Sequence, residues 1–289
     1  MSYLLLRVAM SVLPHVPLRP TAWLVRHAGG LAWRLSRGMR ETATGHMRHA
    51  LGPAASRREV EAAARDCVRS AAWYWVELAR GPRMSAEQTF ARLDSVEGLD
   101  ALFEAYDAGR GVVLLSAHLG NPEVFAVLLP RLGLDTAIFV EPLADRRVHA
   151  LIQRTRERAG ARMLEPDTAG LRTALAHVRC GGLLGGLADR DVLGSGRPYL
   201  FFGERARMPD GLAEIAVRSG AAVLAGWVTR TAPGRYAATV ERIATPTPSG
   251  HRQHDVEALE RAYIEALERA IRRTPGQWFA LQPVWGDLG

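Results

Sequence analysis

The chain has 289 residues, 48% of them hydrophobic, and a formal net charge of +7. This length and apolar content suffice for one large α/β core or two smaller ones, and they exclude a disordered chain. All 37 basic residues are arginine, which pairs well with planar phosphate and carboxylate groups, so the charge favours anionic lipid headgroups, cofactor phosphates or nucleic acid. The arginines are spread over every predicted helix and no recognition motif is present, so we expect no nucleic-acid partner.

The sequence of residues 1–50 predicts two helical segments, with breaks at Pro14, Pro17 and Pro20. Apolar and aromatic residues alternate with arginines there, as in helices that lie in a membrane interface. The same periodicity also fits a helix packed on its own domain with a basic outer face. The apolar run near the N-terminus is too short to span a bilayer, and no signal-peptide cleavage site follows it. Together with a predicted helix over residues 57–79, this assigns residues 1–97 to a helical N-terminal region associated with the membrane.

Residues 98–289 alternate between strand and helix patterns. Such alternation implies crossover connections, so we predict an α/β core with a mostly parallel central sheet flanked by helices, in which the last two strands form a hairpin. The predicted strands cover residues 112–117, 136–140, 161–166, 181–188, 200–203, 222–230 and 236–243. The predicted helices cover residues 122–132, 144–159, 169–179, 210–219 and 255–273.

The stretch LLSAHLGNPE, residues 114–123, places a histidine directly after a buried strand. Ligands on open α/β sheets collect at the carboxyl ends of the strands, so His118 is expected where a site forms. Asn121 suits the N-cap of the following helix, and Glu123 falls in its first turn. We therefore expect Glu123 to accept a hydrogen bond from the imidazole, which fixes the tautomer and leaves the other ring nitrogen free to take a proton.

Charged residues also follow two other predicted strands. Asp189 and Arg190 of the ADRD segment come after a glycine-rich strand, and Glu141 of the VEPL segment comes after another. The carboxyl ends of neighbouring parallel strands lie at one edge of a sheet. These side chains therefore either join His118 in one site or lie in solvent-exposed loops. No G-x-S-x-G motif occurs and neither cysteine has a base near it in sequence, so a covalent acyl-enzyme is not indicated.

Six blocks occur in a fixed order, namely HLGNPE, VEPL, RERAG, ADRD, FFGERARMPDG and QWFALQPVW. This set resembles the bacterial lysophospholipid-acyltransferase-like family, which includes lipid A lauroyl/myristoyl acyltransferases and phosphatidylinositol mannoside acyltransferases. The resemblance covers nearly the whole chain, and the ADRD and LQPVW blocks look like the mannoside branch. It implies a glycerol-3-phosphate acyltransferase-like fold.

The resemblance also implies roles for individual residues. His118 matches the catalytic histidine, Glu123 the acidic member of its motif, and Asp189 an acidic residue, usually glutamate in the mannoside branch, that orients the histidine. The residues it places at the donor or acceptor site are Glu141, Arg156, Arg190 and Asn121.

The implied reaction moves a long-chain acyl group from acyl-CoA to a hydroxyl of a phosphatidylinositol mannoside, with histidine as general base. Acyl-CoA is a co-substrate, and we expect neither a cofactor nor a metal. The alternative within the family is a lipid A-type acceptor with acyl carrier protein as donor. The expected location is the cytoplasmic face of the plasma (inner) membrane, as a peripheral or monotopic protein in contact with anionic lipids.

Two functions outside this family also fit parts of the sequence. A metal-dependent hydrolase would use His118, Glu123 and Asp189 as ligands, but a second well-placed histidine is missing. A non-enzymatic protein that binds membrane surfaces would need only the arginine-rich N-terminal region.

Overall fold

The computed structural model describes residues 3–245 and 247–286. Its α-helices are α1 (Tyr3–Val12), α2 (Leu18–Leu35), α3 (Arg37–Leu51), α4 (Arg57–Arg80), α5 (Ala86–Phe90), α6 (Leu99–Asp107), α7 (Glu123–Arg131), α8 (Arg146–Glu157), α9 (Thr168–Arg179), α10 (Gly211–Ser219) and α11 (Arg252–Arg273). Its strands are β1 (Leu93–Glu97), β2 (Val112–Ser116), β3 (Thr136–Phe139), β4 (Arg162–Leu164), β5 (Leu183–Leu187), β6 (Arg197–Phe201), β7 (Glu204–Met208), β8 (Ala222–Ala232) and β9 (Arg235–Arg242). None of the helices in these two ranges combines the length and apolarity that crossing a bilayer requires.

Seven of the described strands form one sheet, in the order β1-β9-β8-β2-β5-β3-β4. Its neighbouring strands are parallel except for the antiparallel pair β8 and β9. The prediction of a mostly parallel sheet with a late hairpin is therefore confirmed. A separate antiparallel hairpin, β6 with β7, lies outside this sheet.

Helices cover both faces of the sheet. Successive side chains of a strand point to opposite faces, and in β2 they join two different apolar clusters. Val112 and Leu114 pack with residues of α6 and α7, whereas Val113 and Leu115 belong to the larger cluster that includes α10 and α11. Burial on both faces explains why β2 reads as an unbroken apolar run in the sequence.

Helix α4 joins the N-terminal helices to the sheet. It begins with a capping box, in which Ser56 and Glu59 satisfy each other's backbone N–H groups. Near its other end the Glu77 carboxylate pairs with Arg230 of β8, with 2.7 Å between Oε1 and Nε and both side chains buried. Removing one partner of such a buried pair costs about 3–5 kcal/mol. This contact therefore fixes α4 against the sheet.

Strands β1 and β7 were not predicted from the sequence. β1 lies before residue 98, inside the predicted helical region, at the edge of the sheet with mostly exposed side chains. It lacks the apolar alternation that marks a half-buried strand. The strand expected over residues 200–203 is confirmed at Leu200 and Phe201, which end β6. It is wrong beyond them, because Phe202 and Gly203 form the turn between β6 and β7, with φ angles of 51° and 81°. The division of the chain at residue 98 stays a prediction.

Candidate active site

The loop between β2 and α7 carries His118 and is held from two sides. Leu119 forms an antiparallel bridge with Trp278, and Gly120 forms a parallel bridge with Val228 of β8. Gly120 has a positive φ, and a Cβ there would lie 1.9 Å from the carbonyl oxygen of Val228. Because only glycine tolerates both conditions, this position fixes the backbone that presents the histidine.

His118 and Asp189 emerge side by side from two neighbouring strands. In the parallel pair of β2 and β5, Ser116 lies opposite Leu187, and each site residue follows two positions later. Nδ1 of His118 lies 2.8 Å from Oδ1 of Asp189, and the backbone N–H of His118 donates to Oδ2 at 3.1 Å. An ionised carboxylate only accepts hydrogen bonds, so Nδ1 carries the proton. Nε2 then has a free lone pair, and it makes no hydrogen bond to the residues that the structure describes.

The Asp189 carboxylate is fully buried but remains ionised. Burial by itself raises the pKa of this carboxyl group, yet the facing His118 ring and the hydrogen bonds from His118 and Trp278 outweigh burial and hold the pKa below its usual range. The indole Nε1–H of Trp278 donates to Oδ2 at 2.9 Å. The carboxylate therefore keeps its negative charge next to the imidazole, where it stabilises the imidazolium form.

Glu123 does not contact the imidazole. Its buried carboxylate accepts hydrogen bonds from Nε of Arg156 at 3.0 and 3.1 Å and from the hydroxyl of Tyr74 at 2.9 Å. The predicted hydrogen bond between His118 and Glu123 is therefore wrong, because the first turn of α7 directs this side chain towards α4 and α8. In the described part of the chain no three His, Cys, Asp or Glu side chains are grouped as metal ligands.

Asn121 is also placed differently from the prediction. The N-cap of α7 is Pro122, without a side-chain hydrogen bond, so the predicted capping role of Asn121 is wrong. Its backbone N–H donates to the carbonyl of Val228 at 2.6 Å, and its side chain is buried. Asn121 borders a small void beside Glu77 and Tyr236. It is not among the described residues that line the large cavity next to His118.

A cavity of about 530 Å³ opens beside His118. Glu123, Arg156, Glu141 and Arg190 line its polar part, and the Arg190 guanidinium forms an ion pair with the Glu141 carboxylate. The structure thus brings these four predicted residues to the same cavity as His118. Its apolar wall includes Leu114, Phe125, Leu129, Ile138, Leu183 and Leu212. A long hydrocarbon chain next to a general base fits such a lining.

Two aromatic residues of the site were missed in the sequence. Tyr74 of α4 reaches Glu123 and Arg156 from the N-terminal helices. Trp278 lies near the C-terminus, and its indole N–H donates a hydrogen bond to the Asp189 carboxylate. The segment WYWVELA around Tyr74 has many aromatic residues, yet nothing in it indicates which ring faces the site. No local spacing connects Trp278 to Asp189 either, because they lie 89 positions apart.

Comparison with known proteins agrees with this geometry. Residues 2–286 match the model of the bacterial lipid A biosynthesis acyltransferase family. The chain belongs to this family. It is similar to the phosphatidylinositol mannoside acyltransferase of Mycolicibacterium smegmatis (strain ATCC 700084 / mc(2)155), with 32% identity over 235 residues, which are 76% of this chain and 71% of that protein. The protein of the same name from Mycobacterium tuberculosis (strain CDC 1551 / Oshkosh) is 33% identical over 227 residues, 73% of this chain and 66% of that protein.

Membership of this family makes the chain an acyltransferase. The described geometry fits that chemistry, since a histidine with one free ring nitrogen lies at an apolar cavity that has a charged border. The resemblance found in the sequence is confirmed for the family as a whole and for the mannoside acyltransferases as relatives.

Proposed function

We propose that this acyltransferase transfers a long-chain fatty acyl group from acyl-CoA to a hydroxyl of a phosphatidylinositol mannoside. The observation that carries the proposal is the contact between His118 and the buried Asp189 at the cavity of about 530 Å³. The apolar wall takes the acyl chain, and the free Nε2 of His118 faces the reacting groups. The relatives named phosphatidylinositol mannoside acyltransferase support the choice of acceptor.

The proposed chemistry is a direct transfer. The acceptor hydroxyl gives its proton to Nε2 of His118 while its oxygen attacks the thioester carbonyl, and Asp189 stabilises the imidazolium that forms. The tetrahedral intermediate then expels the thiolate, which takes the proton back from the imidazolium. An ester and a free thiol result, and the enzyme returns to its starting state. General base catalysis contributes about 10²–10⁴-fold to such a step, and the rest comes from positioning and from stabilisation of the oxyanion.

The decisive experiment incubates the purified protein with palmitoyl-CoA and purified phosphatidylinositol mannosides and detects products by mass spectrometry. The proposal expects an acyl-sized mass increase of the mannoside with wild-type protein and none with His118→Ala. A parallel reaction contains a lipid A precursor and acyl carrier protein charged with laurate. Acylation of the lipid A precursor without acylation of the mannosides would refute the proposed acceptor and leave the reaction class intact.

The enzyme acts, in our proposal, as a peripheral or monotopic protein at the cytoplasmic face of the plasma membrane. One face of α1 packs on the protein through Leu6 and Met10, while another carries exposed apolar side chains four residues apart. Among the residues of α1 and α2 whose burial is described, the large exposed apolar side chains are Leu4, Val8, Val12, Trp23, Leu24, Leu31 and Leu35. Exposed arginines on the same two helices are Arg7, Arg19, Arg26 and Arg34. Apolar and basic side chains together suit an anionic interface.

Vesicle flotation tests this membrane contact. Wild-type protein is expected to float with vesicles that contain anionic phosphatidylglycerol, and the double variant Leu31→Ser/Leu35→Ser is expected to stay largely at the bottom. The control is Leu200→Ser, because Leu200 is a comparably exposed leucine that belongs to β6 and not to α1 or α2. Equal flotation of the double variant and wild type would refute this surface as the contact.

A further inference from the structure

The C-terminal segment of residues 277–279 pairs with the loop that carries His118. The Gly120 N–H donates to the Gln277 carbonyl at 2.9 Å, and the Phe279 N–H donates to the His118 carbonyl at 2.7 Å. These two bonds flank the antiparallel bridge between Leu119 and Trp278. The backbone positions of the histidine and of this distant segment are therefore fixed relative to each other.

The same segment is tied to β8 through one side chain. The amide of Gln277 accepts a hydrogen bond from the Arg230 N–H at 2.7 Å and donates one to the Arg230 carbonyl at 2.9 Å. A side-chain amide that satisfies both backbone groups of one residue sets the position of the segment along the strand. The direction in which the next residue, Trp278, points is set by this contact.

Trp278 has little freedom to move. Its side chain is fully buried, His46 stacks on its ring with centroids 4.8 Å apart, and Phe201 meets it edge to face at 5.7 Å. The thiol of Cys67 donates to its carbonyl at 2.9 Å. The indole N–H is consequently a rigid donor, and its acceptor is Oδ2 of Asp189.

The two oxygens of Asp189 have different partners. Oδ2 accepts from the Trp278 indole and from the His118 backbone, whereas Oδ1 faces Nδ1 of the imidazole. Without the indole, the carboxylate would keep only donors that belong to His118 itself. The indole is the one described side chain outside His118 that donates a hydrogen bond to this carboxylate.

We propose that Trp278 is a positioning residue, whose indole N–H orients the Asp189 carboxylate so that Oδ1 holds the Nδ1–H tautomer of His118. This inference rests on the proposed role of His118 as general base. Trp278 itself is absent from the lining of the cavity, whereas its neighbour Phe279 contributes to it. Loss of the indole donor should therefore lower kcat and leave KM for acyl-CoA nearly unchanged.

The kinetic test compares two matched substitutions. Trp278→Phe keeps an aromatic ring but removes the donor to Asp189, and kcat is expected to fall about 10–100-fold, as for loss of a hydrogen bond to a charged group. Trp285→Phe is the control, because Trp285 belongs to the same aromatic cluster but donates to the Phe201 carbonyl at 3.3 Å. It should leave kcat within about twofold of wild type, below the loss typical of a hydrogen bond. Wild-type kcat in Trp278→Phe would overturn the proposal.

A double-mutant cycle separates positioning from general damage to the core. In an Asp189→Asn background, Trp278→Phe should cause little further loss of kcat, because the carboxylate that the indole orients is already gone. If the fold loss of kcat in the double variant equalled the product of the losses in the two single variants, the proposal would be overturned. Gln277→Ala is a second variant, and it spares the core. It should lower kcat several-fold and leave KM unchanged. An unchanged kcat in this variant would refute the role of residues 277–279.

A measurement without substrate distinguishes failure of this inference from failure of the proposed function. Nitrogen-15 NMR of the imidazoles, with His118 assigned by comparison with His118→Ala, reports the tautomer directly. Wild type and Trp285→Phe should show a single Nδ1–H tautomer, and Trp278→Phe a mixture. A pure Nδ1–H tautomer in Trp278→Phe would overturn the inference. If wild type fails to acylate mannosides while this tautomer pattern holds, the acceptor assignment fails and the role of Trp278 stands.

Discussion

Nδ1 of His118 and Oδ1 of Asp189 lie 2.8 Å apart, although the two residues are 71 positions apart in the chain. They meet because β2 and β5 are parallel neighbours in register, so that both strands end at one edge of the sheet. The aspartate is shorter than the glutamate that the sequence resemblance leads us to expect, and its carboxylate still reaches the ring. The backbone N–H of His118 and the indole of Trp278 complete its hydrogen bonding.

Replacement of Asp189 by asparagine should lower kcat by about 10²–10⁴-fold, the range that general base catalysis contributes. A neutral amide neither stabilises the imidazolium nor enforces the Nδ1–H tautomer. The measurement is the initial rate of acyl transfer at saturating donor. Asp135→Asn is a matched control, because Asp135 is an exposed aspartate whose carboxylate lies 3.7 Å from another histidine, His177. A kcat for Asp189→Asn as high as that of the control would contradict the assigned role.

Glu123 should prove more important for stability than for proton transfer. Glu123→Gln removes the negative charge that compensates the half-buried guanidinium of Arg156, and the free energy of unfolding should fall, by at most about 3–5 kcal/mol. Tyr74→Phe removes the hydrogen bond that the hydroxyl donates to that carboxylate and the one that it accepts from Arg156, and should cost about 1–3 kcal/mol. Urea denaturation measures both changes.

The control for this pair is Glu41→Gln, because Glu41 forms an exposed ion pair with Arg37. Solvent screens such surface pairs, so they contribute little to stability. If Glu123→Gln cost no more than Glu41→Gln, the carboxylate would not be the partner that makes burial of Arg156 tolerable.

The positions of His118 and Asp189 could be predicted because strand ends are visible in a sequence. An apolar run such as VVLLS marks a strand buried on both faces, and the polar residues after it must lie at the edge of the sheet. Glu123 was assigned to the histidine because it is close to it in sequence. Its partners are instead Arg156, 33 positions away, and Tyr74, 49 positions away. The side chains that α4 and α8 bring to the first turn of α7 decide this choice.

The same limit explains the missed strand and the missed indole. β1 has the sequence LDSVE, which is too polar and too short to show a buried face, and it is a strand only because β9 pairs with it. The contact of Trp278 with Asp189 depends on where the C-terminal segment crosses the sheet. Periodicity along the chain contains no information about such a crossing.

His46 should make the protein less stable in mild acid. Burial lowers the pKa of its imidazole to about 4, below the ordinary value of 6.5. Between these two values the unfolded chain binds a proton that the folded protein does not, so stability is complete above about pH 6.5 and falls as the pH decreases towards 4. The loss attributable to His46 is about 3 kcal/mol over this window.

His46→Phe should remove this part of the pH dependence, since phenylalanine can stack on Trp278 as His46 does but does not titrate. The measurement is the difference in unfolding free energy between variant and wild type at pH 4.5 and pH 7, from urea denaturation. The control is His254→Gln, which replaces an exposed histidine on α11. A constant difference between His46→Phe and wild type at both pH values would show that burial does not lower the pKa of His46.

The choice of acyl chain should depend on the space beside Gly185 in β5. Gly185 lines the large cavity, and a Cβ placed on it would meet only Ile138 and the Ala137 carbonyl, at 3.9 and 4.0 Å. A larger side chain therefore has room to enter the cavity without displacing the strand. Gly185→Leu should occupy the space of several methylene groups and move the preference from palmitoyl-CoA towards shorter donors such as octanoyl-CoA. Gly185→Ala adds one methyl group at ordinary contact distance and should keep the wild-type preference. The ratio of kcat/KM for the two donors measures this preference, and an unchanged ratio in Gly185→Leu would mean that the acyl chain does not lie along β5.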